Sequence, residues 1–197
     1  MNTIAIIISI LIIVLEIVDM AKNLPQRGLS TFTYYTTLSN FMTLISCIVL
    51  LIFGGASKGW LEVQLLGPGG VPGMLRYLAS CMMLMTFIIT AFVLVPLLGD
   101  ARKLLFTEGL LHHLICPVLC VVSYVFFERH SHAWPVPVIL TLCYGALMLW
   151  LNYRRKFDGP YPFFRVHRQG KGATIMWMFI MAAAITVVSL ALLAVAK

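Results

Sequence analysis

Apolar residues run along the chain in six blocks, at about 3–20, 34–54, 74–98, 108–127, 135–152 and 173–195, broken by short stretches of charge or of glycine and proline. A helix needs roughly 20 mostly apolar residues to cross a bilayer. The pattern therefore predicts an all-α fold, a polytopic integral membrane bundle of six transmembrane helices forming one domain over residues 1–197. The run GPGGVPG at 67–73 cannot continue a helix and marks a loop between the second and third spans. The first block is expected to persist as a span rather than be cleaved as a signal. No basic segment precedes it, no small-residue cleavage site follows it, and Glu16 and Asp19 close it. The sequence shows no internal repeat.

Composition narrows the function class. The chain is 61% hydrophobic and only 11% charged, against about 25% charged in a soluble domain, which leaves no room for a separate soluble catalytic domain. The 14 Lys and Arg exceed the 7 Asp and Glu, yet they fall between apolar blocks and form no basic stripe interleaved with aromatics. Membrane lipids, through anionic headgroups, are the expected counterpart, and no nucleic acid. Ten basic residues sit in the first, third and fifth connections: Lys22, Arg27, Arg102, Lys103 and six between Arg154 and Lys171. Only Lys58, Arg76, Arg129 and Lys197 fall opposite. The positive-inside rule then puts those three connections in the cytoplasm and both termini outside.

All five cysteines, Cys47, Cys81, Cys116, Cys120 and Cys143, lie within apolar blocks and read as small core residues, not as a disulfide framework. Cys116 and Cys120 share a helix face near His112 and His113. No CxxC or HExxH spacing accompanies them, so neither a metal nor another cofactor is expected.

Ionisable and hydrogen-bonding groups at bilayer depth are the informative residues, because each is costly there without a partner or a wet cavity. Glu16 and Asp19, three residues apart, share a face; they are either an interfacial pair or, with Arg76, the lining of a polar cavity. The second span opens on Thr36, Thr37, Ser39 and Asn40, continued by Thr43, a stripe that is either interhelical glue or part of a site. The fourth span opens on His112 and His113, whose side chains would point about 100° apart on an α-helix. Glu108, four residues before His112, is placed to orient its ring, and Pro117 breaks a backbone bond where a kink can open a pocket. The connection at 152–171, with Tyr153, Tyr161, Phe163 and Phe164 among its basic residues, reads by default as a lipid-facing aromatic belt.

Three of these stretches resemble a known family. YYTTLSNFM at 34–42 resembles the FT-x-x-SN signature of the bacterial Pr6Pr membrane proteins, and LLHHLICPVLCVVSYVFFE at 110–128 resembles their second signature, a histidine four residues before a proline. DGPYPF at 158–163 resembles the G-x-x-x-YPF stretch of the eukaryotic androgen-induced gene 1 and androgen-dependent TFPI-regulating proteins. Those relatives are multipass hydrolases of fatty acid esters of hydroxy fatty acids, with a threonine nucleophile and a histidine. The resemblance implies a lipid esterase of the bacterial plasma membrane, with a fatty-acyl ester substrate. It implies Thr36 as nucleophile and a histidine base, His113 on the bacterial pattern and His112 on the eukaryotic one, of which His113 is favoured. Where bacterial relatives tend to carry Asp-Trp, this chain has Ser123-Tyr124, so a carboxylate at that place is missing.

The chemistry suits the resemblance, since a threonine hydroxyl needs a base and histidine titrates near neutral pH. Asn40, Ser39, Thr37 or the second histidine are the candidate oxyanion donors and supports. Thr36 is expected within hydrogen-bond reach of one histidine. Around it the expectation is an elongated cavity lined by Phe41, Met42, Met82, Met85 and Phe87 and open to the bilayer. A small transporter, or a structural or regulatory subunit whose polar residues only tie helices together, are the alternatives.

Overall fold

The protein, in a computed structural model, is described over residues 2–53, 70–128, 133–159 and 161–195. Six helices dominate it: α1 (Thr3–Arg27), α2 (Tyr35–Phe53), α3 (Gly70–Leu98), α4 (Leu110–Phe127), α5 (Pro135–Tyr153) and α6 (Val166–Val195). All six are long and apolar enough to cross a membrane, and no strand occurs among the described residues. The fold is all-α, and by composition the chain is a multipass membrane protein.

The ends of the helices depart from the hydrophobic blocks for local reasons. The Asn2 side chain caps α1 by accepting from the Ile4 amide at 2.8 Å, and the helix then runs past its apolar block to Arg27. The glycine- and proline-rich run is not all loop. Residues 67–69 lie outside the described residues, but Gly70–Gly73 already belong to α3, because proline in a first helical turn forfeits no hydrogen bond. In α6 the apolar block begins where expected only after a break at Gly170 (φ 82°).

Helix α3 is the centre of the bundle and packs against α2, α4, α5 and α6, while α1 lies against α2 and α4. Two cores result. One gathers large side chains such as Tyr77, Met85, Tyr124 and Phe163 from α3, α4 and the connection before α6, with others from α2, α5 and α6; the other gathers Ile12, Cys47, Ala79, Met83, Cys116 and Cys120 between α1, α2, α3 and α4. Small residues in the second core let backbones approach closely, as membrane helices require. Cys143 departs from the expectation for the cysteines: it is exposed, on a lipid-directed face of α5.

Arg76 does not line a cavity with Glu16 and Asp19, as one sequence reading had it. Its side chain is fully buried, and its guanidinium grips the Glu128 carboxylate with two bonds, Nε to Oε2 at 2.5 Å and Nη2 to Oε1 at 2.6 Å. Its remaining nitrogen donates to Ser46 Oγ at 3.2 Å and to Cys47 Sγ at 2.9 Å, and Ser123 donates to Glu128. Ser123, which stands where a carboxylate was missed, thus serves this ion pair between α2, α3 and α4. Removing one member of a buried pair strands the other charge and typically costs about 3–5 kcal/mol. Arg76→Ala should destabilise the bundle on that scale in thermal unfolding in detergent, and Arg76→Met combined with Glu128→Leu should recover most of the loss. A double variant as unstable as the single one would show that the pair does something other than neutralise itself.

Candidate functional site

The ends of α1 and α3, the beginnings of α2 and α4, and the connection before α6 meet at one end of the bundle, around a polar chamber of about 680 Å³. Glu16, Asp19, Thr36, Asn40, His112 and His113 are among its walls.

The histidines reach the chamber because α4 does not begin as an α-helix. Leu110–Ile115 form a π-helical turn, and its wider winding brings both rings to one side with centroids 4.3 Å apart. In this register the Cys116 amide donates to the Leu111 carbonyl. The next donor in line would be Pro117, which has no N–H, so the His112 carbonyl is left without a backbone partner. Asn40 fills the gap. Its side-chain amide donates to the His112 carbonyl at 3.2 Å and to the Thr36 carbonyl at 2.7 Å, tying α2 to α4 at the site.

Each ring has one nitrogen engaged. His112 Nδ1 lies 3.1 Å from Asp19 Oδ1, and Asn23 donates to the other Asp19 oxygen at 3.0 Å. The carboxylate therefore fixes the ring with Nδ1 protonated and Nε2 free to accept a proton. His113 Nδ1 donates to the Leu104 carbonyl at 2.8 Å and is buried. The carboxylate partner of His112 is not Glu108, as its spacing suggested. Glu108 is exposed and pairs with Lys103 at 3.5 Å, because the π turn and the bends before it carry position 108 away from the ring.

Thr36 stands in the second turn-forming position of α2, and its hydroxyl meets neither histidine. Its Oγ1 lies 3.2 Å from the Tyr161 hydroxyl, which also accepts from the Thr36 amide at 3.3 Å. Ser39 and Asn40 are committed elsewhere and are not free oxyanion donors. Ser39 donates to the Thr36 carbonyl and contacts Thr86, both at 2.8 Å, and both Asn40 donors are used. Thr37 lines the chamber and faces Thr31 at 3.3 Å.

Tyr161 departs from the expectation of a lipid-facing belt. Tyr161, Phe163 and Phe164 are instead buried, folded inward by a turn at Gly159 (φ 77°) and pinned by Asn152, which bonds the Phe157 carbonyl at 3.2 Å and the Val166 amide at 2.8 Å. Only Tyr153 of that group is outward-facing. Burial raises the Tyr161 pKa and keeps its hydroxyl un-ionised. The YPF stretch was the one available signal.

A second, apolar chamber of about 580 Å³ lies between α2, α3, α5 and α6. Of the five expected lining residues only Met85 faces it; Phe41 packs on Phe32 at the surface instead, and Met42 and Met82 fill core. Its other walls come from Ile89, Phe163, Phe164 and Trp177. Leu142, Ile175, Met178 and Phe179 line it and are also exposed on the outer surface, so the chamber opens sideways between α5 and α6. Thr36, Leu94 and Tyr161 line both chambers. Among the described residues no group of three His, Cys, Asp or Glu side chains is gathered as a metal site.

No family model, curated protein or solved structure matches the chain.

Gly109 lets this end of α4 form. A Cβ there would collide with the Leu104 carbonyl and with His113 Nδ1. Gly109→Ala should unseat His113 and lower stability by about 1–3 kcal/mol, the usual cost of overpacking. Gly172→Ala, where a Cβ meets nothing within 4 Å, should not. Equal unfolding temperatures for Gly109→Ala and the parent would refute this account of the turn.

Proposed function

We propose that this chain is an integral-membrane esterase that splits fatty-acyl esters from Thr36, with His112 as base, Asp19 as its orienting carboxylate and Tyr161 as oxyanion donor. The observation that carries the reading is the place of Thr36. Its side chain belongs to the wall shared by an apolar chamber open toward lipid and a polar chamber holding a carboxylate–imidazole pair. An acyl chain and a polar alcohol moiety meet different solvents, and an ester between them belongs at such a boundary. Fatty acid esters of hydroxy fatty acids, the substrates implied by the resemblance, join two hydrocarbon chains through the ester, and the free carboxylate of the hydroxy acid is the end suited to the polar chamber.

In the proposed reaction the Thr36 hydroxyl gives its proton to His112 Nε2 as its oxygen attacks the ester carbonyl. Asp19 stabilises the imidazolium. The Tyr161 hydroxyl, whose oxygen already accepts from the Thr36 amide, turns its proton from Thr36 to the developing oxyanion. The tetrahedral intermediate expels the alcohol, which takes the proton from His112, and leaves an acyl-threonine. A water entering from the polar chamber gives a proton to His112, attacks the acyl carbon and releases the acid, and the proton returns to Thr36. The Asp19 partner favours His112 over His113 as base, because a carboxylate stabilises imidazolium better than the carbonyl that holds His113. In the resting arrangement Thr36 is bonded to Tyr161 rather than to a histidine, so substrate has to take the place of that bond before attack.

Turnover of a long-chain ester in detergent, with folding checked by size exclusion, tests the assignment. Thr36→Ala and His112→Ala should each bring hydrolysis to background, with no further loss when combined, since nucleophile and base act as a unit. Tyr161→Phe should cost about 10²–10³-fold, as loss of one oxyanion donor does, and His113→Ala should leave measurable activity. Full turnover by Thr36→Ala ends the reading; loss confined to His113→Ala transfers the base to His113.

A further inference from the structure

Glu16 takes no part in that chemistry, yet it is the most conspicuous group in the polar chamber. Its side chain is 1% exposed and lines the chamber, and neither carboxylate oxygen has a hydrogen-bond partner among the described residues. The Cys116 thiol, a weak donor, lies beside it, and the Asp19 carboxylate stands near enough on the same helix to add its negative charge. An unpaired carboxylate at bilayer depth calls for a positive charge or strong donors. Among the described residues the chain's own cations are engaged or directed elsewhere, Arg27 lying over the Tyr34 ring at 5.5 Å. Arg76 is spent on Glu128 and Lys103 on Glu108, while Lys22, six residues on, projects at the exposed mouth from another side of α1.

A second orphan acceptor flanks the same turn of α4. Asn40 is 3% exposed and its Oδ1 has no hydrogen-bond partner among the described residues. Its amide nitrogen faces two carbonyl acceptors, those of Thr36 and His112. Asn40 from α2 touches residue 112, and Glu16 from α1 sits beside residue 116, one helical turn further on. The chamber therefore has three buried side-chain oxygens without a hydrogen-bond partner among the described residues, the two of the Glu16 carboxyl group and Asn40 Oδ1.

We propose that Glu16 and Asn40 form a seat for a primary ammonium group, carried by a lipid headgroup or by a free small amine. A primary ammonium brings one positive charge and three N–H donors, and three oxygens stand without one. A bare metal ion is the poorer fit. It would need about six oxygen ligands in a closed shell, and among the described residues no three acidic, histidine or cysteine side chains converge.

The test is saturable stabilisation of the purified protein in a neutral detergent, read as the rise in unfolding temperature by tryptophan fluorescence. Ethanolamine and lysophosphatidylethanolamine are compared with choline, lysophosphatidylcholine and sodium chloride. Stabilisation by either ethanolamine compound but not by its trimethylated counterpart supports the seat. Response to free ethanolamine identifies a small amine as sufficient, and response to the lysolipid alone assigns the source to a headgroup. Glu16→Gln, which keeps the shape and removes the charge, should weaken that binding at least tenfold. Equal effects of choline and ethanolamine, an effect of sodium alone, or undiminished binding by Glu16→Gln would overturn the proposal. Should Glu16→Gln fail to fold, Glu16→Asp, which withdraws the carboxylate by one methylene, serves instead, with unchanged affinity as the contrary result. The readout is binding and not ester turnover, so it stands or falls separately from the esterase reading.

Discussion

A backbone carbonyl deprived of its donor cannot be left bare in hydrocarbon, and this constraint organises the polar end of the bundle. Pro117 withholds the N–H that the His112 carbonyl needs, and the Asn40 side chain supplies the replacement across the interface between α2 and α4. The same amide reaches back to the Thr36 carbonyl, so one residue fixes the start of α2 against the π turn of α4. The histidines then point into the chamber, and Asp19 on α1 finds His112. Losing the Asn40 contact would untie the start of α2 from the π turn of α4.

The opposite end is held by a different device. The Arg76–Glu128 pair is buried, doubly bonded and surrounded by Ser46, Cys47 and Ser123. It leaves nothing unsatisfied for a ligand, whereas the chamber end keeps Glu16 and Asn40 Oδ1 unanswered. Polar groups of similar rarity thus divide into a closed clasp and an open site, and what separates them is whether donors and acceptors balance.

The six spans were legible because a helix in a bilayer must bury or shed every apolar residue in one continuous run, and such runs survive in the sequence without help from tertiary structure. Thr36, Asn40 and the histidines were legible as polar groups in the wrong solvent. Their partners were not. Glu108 stood at the right spacing for His112 on an α-helix, and the π turn defeats that spacing, while Asp19 reaches the ring only because α1 packs on α4. Tyr161 sat among arginines and lysines, a context that reads as membrane surface. The turn at Gly159 and the grip of Asn152 send it inward, and neither is visible as a periodicity.

The sideways mouth between α5 and α6 changes what concentration means for this protein. Leu142, Ile175, Met178 and Phe179 border the apolar chamber where the bundle faces acyl chains, so a molecule entering there arrives by lateral diffusion within a two-dimensional phase and never crosses bulk water. Occupancy then follows the mole fraction of that molecule among the surrounding lipids rather than its molarity in the suspension. Diluting it with inert lipid or detergent would empty the chamber even at constant total amount, and the membrane itself becomes the reservoir against which affinity is measured.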